Sequence, residues 1–285
     1  MNLPDLAPVL KKPLILILEI VIKKIYSPLH MNNFHTHTWR CKHATGTVKD
    51  YVDAAVKNNI KVLGMSDHTP LPDNRWSHVR MDITELDAYV EEFKEAQSDD
   101  IVLLKGLECE WDPIYEGFYK EELLGFREFD YLIGAVHYFK NHGEWGYLSE
   151  IKTAKHLRQY ADIMIETMRS GLFSFIAHPD GFGAGYQIWD NNTISCTRDI
   201  LTAAEELNIP LEINGYGLRK NLVSTPGGLR HVYPLVKFWE IAASYNIKAI
   251  CNSDAHRPED VAASIRQCKD IAEKFNINII EDIRV

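Results

Sequence analysis

From residue 32 onward, short apolar runs alternate with segments of helical spacing, and this alternation constrains the fold more than any other feature. The runs are rich in branched residues, which is typical of buried strands. Strands separated by helices form parallel pairs with crossover connections. The predicted strands lie near Asn32–His35 and at Lys61–Met65, Ile101–Leu107, Tyr131–Val136, Leu172–Ala177, Pro210–Ile213 and Lys248–Cys251, with a candidate terminal strand at Ile277–Ile283. These seven strand–helix units predict a single barrel-like α/β domain.

Several segments between the predicted strands carry signals for the start of a helix. Thr47 is placed to cap one helix, and Asp82 with Glu85 forms a capping-box pattern before another. Pro234 and Pro258 stand where a first helical turn would begin. The last predicted helix carries apolar residues at helical spacing, namely Val261, Ile265, Cys268 and Ile271.

Residues 1–30 differ from the rest of the chain. Leu14–Ile22 is an apolar run flanked by lysines, but a membrane-spanning helix needs about 20 apolar residues, so we predict no stable membrane span. Three interpretations stay open: an extra element packed on the domain, an interfacial helix, or upstream sequence before a start at Met31, which we place first. We therefore divide the chain into an N-terminal extension at 1–30 and a barrel domain at 31–285.

Charge and cysteine content limit the partners and the compartment. The 285-residue chain has 31 basic and 40 acidic residues and a net charge of −9, which argues against a nucleic-acid partner. Its five cysteines form no C-x-x-C pair, which favours reduced thiols. We therefore predict a cytoplasmic protein, and leave its oligomeric state open, a homo-oligomer included.

Metal-binding side chains follow nearly every predicted strand. A single histidine after a strand is more often a structural polar residue than a ligand, but repeated coincidences of this kind are much rarer. In a parallel barrel, the carboxyl ends of all strands open on one face, where active sites are built. We therefore expect these side chains to converge. They are His35 and His37, Asp67 and His68, Glu108, His137, His178 and Asp180, and Asp254 and His256.

The mixture of imidazoles and carboxylates indicates the metal. Such ligands suit zinc, iron or manganese, whereas magnesium and calcium prefer oxygen ligands. The set exceeds the needs of one ion, so it predicts two or three divalent ions with a bridging carboxylate. Ions about 3.5–4 Å apart activate a water molecule and stabilise an in-line displacement at phosphorus.

From Phe34 to Ile265, the sequence resembles the PHP (polymerase and histidinol phosphatase) metal-dependent phosphoesterases, and most closely their histidinol-phosphatase branch. The resemblance implies a distorted seven-stranded (β/α)7 TIM-like barrel. It rests on His35-Thr-His37 with His43, Ser66-Asp-His68, Gly106-Leu-Glu108, Gly134-Ala-Val-His137, His178-Pro-Asp180 and Asn252-Ser-Asp-Ala-His256. By motif, the implied ligands are His35, His37, Glu108 and Asp254 for a first ion, Glu108, His137 and His178 for a second, and His43, His68 and His256 for a third.

Two loops resemble the substrate loops of the same branch. One contains Trp76 and Arg80, and the other, Asn214–Lys220, contains Arg219 and Lys220. Guanidinium groups bind phosphate oxygens in a two-pronged geometry, so Arg219 is the first candidate for a phosphate clamp and Arg80 the second. The alternative for either arginine is a solvated surface charge. Trp76 and Lys220 complete the predicted substrate-binding set.

The resemblance implies hydrolysis of L-histidinol phosphate to L-histidinol and phosphate in histidine biosynthesis. A metal-bridging hydroxide would attack phosphorus, and Glu108, Asp254, Arg219 and Arg80 form the predicted catalytic set. We expect Asp67 and Asp180 to orient liganding imidazoles. Glu110 and Asp112 are candidates to contact the cationic part of the substrate.

Other functions remain open at this point. The same cluster could serve another phosphomonoester, such as a nucleotide, a sugar phosphate or phosphotyrosine, although the two loops favour histidinol phosphate. A non-catalytic metal-binding domain is a further alternative. Asn33, where members often have Asp, and Cys109-Glu110 depart from the family pattern, but neither removes a predicted ligand.

Overall fold

The computed structural model describes residues 31–141 and 143–283. The interpretations of residues 1–30 lie outside the described residues and stay predictions. The strands are β1 Met31–Asn33, β2 Ile60–Met65, β3 Val102–Glu110, β4 Tyr131–Ala135, β5 Tyr138–Asn141, β6 Glu144–Tyr147, β7 Phe175–Ile176, β8 Leu211–Asn214, β9 Val223–Thr225, β10 Gly228–Arg230, β11 Lys248–Asn252 and β12 Asn278–Ile279. Eight of them form a parallel sheet at the centre of the domain, in the order β1-β2-β3-β4-β7-β8-β11-β12.

The sheet has eight strands where seven strand–helix units were expected. The additional strand is β12, within the candidate terminal segment, and it pairs with β11 through Lys248 and Asn278. Beyond the carboxyl end of β11, the chain pairs with the segment that follows β1. Thr36 and Ala255 form a parallel bridge there, and the His37 amide donates to the Ala255 carbonyl at 2.9 Å. The segments that follow β1 and β11 therefore meet at the carboxyl end of the sheet.

The helices are α1 Val48–Lys57, α2 Leu86–Glu95, α3 Ala154–Arg169, α4 Asn191–Glu206, α5 Gly215–Arg219, α6 Val236–Ala242 and α7 Ile265–Lys274. The capping signals are confirmed: Thr47 and Asp50 form a capping box at the start of α1, and Asp82 with Glu85 forms one at the turn that leads into α2. The two proline signals are not: Pro234 lies before Leu235, the N-cap of α6, and Pro258 opens a 3-10 turn that ends before α7 begins. Among the described residues, no helix has the length and apolar character to cross a membrane.

The hydrophobic core has two parts. The larger part lies between the sheet and the helices, and a smaller one, around Phe34, Tyr131 and Phe175, lies on the inner face of the sheet. The Tyr131 ring occupies the space above Gly64 and Gly106, where an added Cβ would lie 2.1 and 2.3 Å from its atoms. This apolar plug fills the lower interior, so the polar residues at the strand ends lie above it.

The alternating pattern does not predict two short antiparallel hairpins. Strands β5 and β6 form one, and β9 and β10 form the other. A π-helix at Phe118–Phe126 was also not expected. The β5–β6 hairpin follows His137 directly, so Tyr138 and Tyr147 come to lie beside the predicted ligands.

Candidate metal centre

The predicted metal ligands converge at the carboxyl end of the sheet. They line or underlie one cavity of about 530 Å³. His35 is fully buried below it, whereas His43 is exposed at its mouth. The other predicted ligands line the cavity: His37, His68, Glu108, His137, His178, Asp254 and His256.

Glu108 lies at the centre of the cluster, and its two oxygens face different histidines. The Oε2 atom lies 3.4 Å from His35 Nε2 and 3.6 Å from His37 Nε2. The Oε1 atom lies 3.6 Å from His137 Nε2 and 3.0 Å from His178 Nε2. The structure thus arranges the predicted first and second ligand sets on the two sides of one carboxylate.

The spacing within the first set fits a shared ion. His37 Nε2 lies 3.2 Å and His35 Nε2 lies 3.6 Å from Asp254 Oδ1. With metal–nitrogen bonds near 2.0–2.1 Å, ligand atoms around a tetrahedral zinc ion are separated by about 3.4 Å. The spacing of these atoms therefore matches ligands of a common ion better than hydrogen-bonded partners.

Unsatisfied buried atoms lead to the same conclusion. His35 Nε2, both ring nitrogens of His37, Glu108 Oε2 and Asp254 Oδ1 are buried without a hydrogen-bond partner. Leaving a buried polar atom unsatisfied costs roughly 1–3 kcal/mol, so a concentration of such atoms at one point needs an explanation. Divalent cations bound at this point would satisfy them, and the donor chemistry fits zinc, iron or manganese.

The third predicted set is assembled only in part. The His43 ring centroid lies 5.3 Å from that of His68 and 5.0 Å from that of His256. His68 Nδ1 lies 2.9 Å from Glu108 Oε2, and His68 belongs to two groups of donors close enough to hold an ion, one with Glu108 and His137 and one with His37 and His256. His43 forms a separate group with Cys41 and His256. His43 Nδ1 contacts the Cys41 carbonyl at 2.7 Å, which leaves Nε2 as its candidate ligand atom.

The electrostatics favour the metal-binding form at some ligands and oppose it at others. Burial lowers the pKa of His35 and of His137, but neighbouring carboxylates outweigh it and raise both values, so metal binding there must displace a proton. Burial raises the pKa of Glu108 and of Asp254, but the surrounding histidines outweigh it and hold both values well below the usual range. Burial and the neighbouring His37 lower the pKa of His256 to about 3. Burial also holds the pKa of His68 well below its usual value. Ionised carboxylates and neutral imidazoles are the ligand forms required.

Asp67 and Asp180 do not hold imidazoles, which corrects one prediction. Asp67 accepts hydrogen bonds from the Thr38 amide at 2.9 Å and from the Thr38 hydroxyl at 2.6 Å. Asp180 accepts one from the Leu235 amide. Burial raises the pKa of both carboxyls to about 7. The two carboxyls therefore hold backbone segments that lie beside the ligands, and they do not orient the imidazole rings.

Other carboxylates hold the imidazoles. His137 Nδ1 contacts Glu110 Oε1 at 2.5 Å, and His35 Nδ1 contacts Glu212 Oε1 at 2.8 Å. We predicted that Glu110 would contact the substrate, but its carboxylate faces His137, and its Oε1 atom lies 3.9 Å from Arg80 Nη2. Glu212 was missed, although a glutamate inside the apolar run of β8 was a visible signal.

The two predicted arginines have different surroundings. Arg80 is buried in the cavity wall, where it donates to the Thr69 carbonyl at 2.9 Å and leaves Nε without a partner. Arg219 donates instead to the carbonyls of Ser253 at 2.9 Å and Ala263 at 3.1 Å. Its contacts support the backbone at Asp254, whose φ of +49° lies in the left-handed region. The predicted phosphate clamp at Arg219 stays a prediction.

Lys220 places a cation in the cavity wall. Its ammonium donates to the Tyr233 hydroxyl at 2.9 Å and lies 4.4 Å from the centre of the Tyr216 ring. Burial lowers the pKa of Lys220, against the opposing effect of Asp254 and Glu108. Among the aromatic residues that line the cavity, sequence reasoning missed Tyr138, Tyr147, Tyr216 and Tyr233.

Trp76 borders the cavity wall through a stack of aromatic rings. Its ring lies parallel to that of Tyr138, with centroids 3.9 Å apart, and meets Trp145 edge-on at 5.3 Å. Its backbone is left-handed, with φ at +55°. The predicted substrate loop therefore packs on the β5–β6 hairpin.

Comparison with known proteins agrees with this fold. The PHP domain family model matches residues 33–215. A protein of Deinococcus radiodurans named probable histidinol-phosphatase is 30% identical over 259 residues, which cover 83% of this chain and 92% of that protein.

Solved structures share the fold at low sequence identity. A Listeria monocytogenes protein, named as a candidate histidinol phosphatase (hisK), has a TM-score of 0.68 at 18% identity over 83% of this chain and 99% of its own. The histidinol phosphate phosphatase of Lactococcus lactis was solved with zinc, L-histidinol and phosphate. Its structure has a TM-score of 0.64 at 15% identity, and the match covers 88% of this chain and 95% of that protein.

The fold and the cluster at its strand ends define a PHP-domain protein. The identity and coverage of the Deinococcus relative define the branch. The chain belongs to the PHP superfamily and, within it, to the histidinol-phosphatase family.

Proposed function

We propose that this protein is a metal-dependent phosphomonoesterase that hydrolyses L-histidinol phosphate to L-histidinol and phosphate in histidine biosynthesis. One observation carries the proposal: the two oxygens of Glu108 face separate groups of imidazoles, with His35 and His37 on one side and His137 and His178 on the other. A carboxylate in this position suits a bridging ligand between metal ions.

The proposed ligands follow from the cluster. Glu108 would bridge two ions, with Asp254 completing the first position, and a third ion would use the exposed His43. The remaining ligands would be His35, His37, His68, His137, His178 and His256. Two or three bound zinc, iron or manganese ions would supply a hydroxide nucleophile at neutral pH and neutralise charge on the phosphoryl group.

Residues of the chain would bind and orient the substrate. The Lys220 ammonium lies in the cavity wall and suits a phosphate oxygen. Arg80 lies in the same wall, and its guanidinium would make a second phosphate contact. Tyr138 and Tyr216 line the cavity and would contact the imidazole ring of L-histidinol phosphate.

Relatives support the choice of substrate. The Lactococcus lactis enzyme was solved with L-histidinol and phosphate, the two products of the proposed reaction. The acidic net charge of −9 disfavours a nucleic-acid substrate. The described cysteines are free and buried, which supports the proposed cytoplasmic location.

The test is phosphate release from L-histidinol phosphate, AMP, a sugar phosphate and p-nitrophenyl phosphate, with metal content determined on the same sample. We expect L-histidinol phosphate to exceed the others in kcat/KM by at least about 100-fold, a ratio within the range that buried polar recognition supplies. A different preferred monoester would keep the metal centre and overturn the substrate. Bound metal without hydrolysis of any ester would favour a non-catalytic metal-binding domain.

A further inference from the structure

Glu212 is a fully buried carboxylate beneath the metal cluster. It lies on β8, and its neighbours Leu211 and Ile213 belong to the hydrophobic core between sheet and helices. Because side chains alternate along a strand, Glu212 faces the inner side of the sheet. A buried carboxylate is strongly unfavourable unless hydrogen bonds satisfy its oxygens.

Each oxygen of Glu212 receives two donors. Oε1 contacts His35 Nδ1 at 2.8 Å and Asn252 Nδ2 at 3.0 Å. Oε2 accepts from the His178 amide at 3.1 Å and from Asn214 Nδ2 at 2.8 Å. The carboxylate is therefore saturated, and its partners come from the segments that follow β1 and β7, from β11 and from its own strand.

The orientation of both asparagine amides is fixed by the backbone. The Asn252 oxygen accepts from the Phe34 amide at 2.9 Å, and the Asn214 oxygen accepts from the Tyr216 amide at 2.8 Å. Each side-chain nitrogen must then point toward Glu212. Asn214 Nδ2 also donates to Asp254 Oδ2 at 3.0 Å, so the network extends to a further predicted ligand.

These contacts set the state of three predicted ligands. With Nδ1 of His35 donating to Glu212, the lone pair of Nε2 is directed toward Glu108 and Asp254. The hydrogen bond to the His178 amide fixes the backbone of that ligand, whose φ is +29°. Asn214 occupies one oxygen of Asp254 and leaves the other for metal binding.

We propose that Glu212 is a positioning residue that prepares His35, His178 and Asp254 for divalent ions. This inference rests on the proposed metal-dependent function. A carboxylate that orients a liganding histidine typically changes metal affinity by 10–100-fold when removed.

The requirement is for a carboxylate and not only for its shape. In Glu212→Gln, an amide NH2 replaces one oxygen of nearly the same size. In either orientation of the amide, its NH2 group faces two of the four hydrogen-bond donors that surround Glu212. An NH2 group cannot accept a hydrogen bond, so both donors lose their partner. The substitution therefore breaks the network without opening a cavity.

The test is a metal titration of chelator-treated protein in competition with a chromophoric chelator, with Co²⁺ absorption as a second readout. We expect Glu212→Gln to weaken the binding of the tightest ion by about 10–100-fold and to change the Co²⁺ spectrum. The matched control is Ile213→Ala on the same strand, which faces the opposite side. It should lower the melting temperature without weakening metal binding.

A second variant keeps the test decisive if Glu212→Gln does not fold. Asn214→Ser retains an oxygen for the Tyr216 amide but loses the bonds to Glu212 and Asp254. It should weaken metal binding by about tenfold. Wild-type affinity in Glu212→Gln, or in Asn214→Ser where the first variant is unfolded, overturns the inference. A wild-type protein that binds no divalent ion overturns the proposed function and, with it, this inference.

Discussion

At the scale of single residues, the site is organised by pairs that are distant in sequence. His35 and Glu212 are separated by 177 positions, and His178 and Glu108 by 70. The convergence of these side chains was predictable, because strand ends of a parallel barrel share one face. Which carboxylate would hold which imidazole was not, because that depends on contacts through space that local patterns do not encode.

Lys220 gives the first prediction. Lys220→Met removes the ammonium from the cavity wall, and we expect kcat/KM for L-histidinol phosphate to fall by about 10–100-fold, the equivalent of a charged hydrogen bond of about 1.5–3 kcal/mol. Metal content should stay at the wild-type level, and the exposed Lys57→Met is the control. Unchanged steady-state kinetics would exclude Lys220 from substrate binding.

The same residue predicts a pH dependence. Since burial lowers the pKa of Lys220, its ammonium loses its proton at a lower pH than an ordinary lysine does. Wild-type kcat/KM should therefore decrease as the pH rises through that value. Lys220→Met should lack this alkaline decrease, and a pH–rate profile of both proteins tests it.

Substitution of Arg219 distinguishes a role in supporting the backbone from a role in binding phosphate. If it supports the backbone at Ser253 and Asp254, Arg219→Ala should lower the free energy of unfolding by about 1.5–3 kcal/mol and reduce the metal content. If it is the phosphate clamp, KM should rise while the metal content stays the same. Its contacts with backbone carbonyls favour the first outcome, and denaturant titration with metal analysis decides. Arg257→Ala, which removes an exposed partner of Asp260, is the control.

At the scale of elements, strands and helix starts were predictable where they rest on local chemistry. The capping boxes at Thr47 and Asp82 are confirmed. Strand β7 is shorter than the predicted Leu172–Ala177, because only Phe175 and Ile176 pair with the neighbouring strands. The β5–β6 hairpin was missed because its short strands lack the apolar run of a buried strand.

The packing of Trp76 on this hairpin predicts an effect on substrate binding. Trp76→Ala removes the parallel stack on Tyr138, an interaction of about 0.5–1.5 kcal/mol, so KM for L-histidinol phosphate should rise by about 3–10-fold. Trp76→Phe retains an aromatic face and should restore most of the loss. Steady-state kinetics that are identical in wild type and Trp76→Ala would show that the stack does not shape the cavity.

For the molecule as a whole, the alternation of strands and helices predicted a parallel α/β arrangement, and the structure has one. The candidate terminal strand at Ile277–Ile283 corresponds to β12, which pairs through only Lys248 and Ala249 of β11 and makes eight strands in the sheet instead of seven. The apolar plug around Tyr131 was hidden, because its space is created by Gly64 and Gly106 on other strands.

The close packing of Tyr131 against Gly64 predicts that even a glycine-to-alanine substitution lowers the stability of the protein. In Gly64→Ala, the new methyl group would lie 2.1 Å from the Tyr131 hydroxyl oxygen, so the free energy of unfolding should fall by about 1–3 kcal/mol. Gly117→Ala is the matched control, because nothing lies within 4 Å and the backbone is helical. Equal stability of the two variants in denaturant titrations would contradict the close packing of Tyr131.

The central claim is that Glu108 links the metal positions on which hydrolysis depends. The most direct measurement compares wild type and Glu108→Gln after metal removal and reconstitution, with phosphate release from L-histidinol phosphate and bound metal followed together. We predict that wild type regains activity with two or three bound ions, and that Glu108→Gln binds less metal and loses at least about 1000-fold in kcat, as expected when metal-dependent catalysis fails. Wild-type hydrolysis that survives complete metal removal, or a Glu108→Gln protein with wild-type activity, would contradict the account.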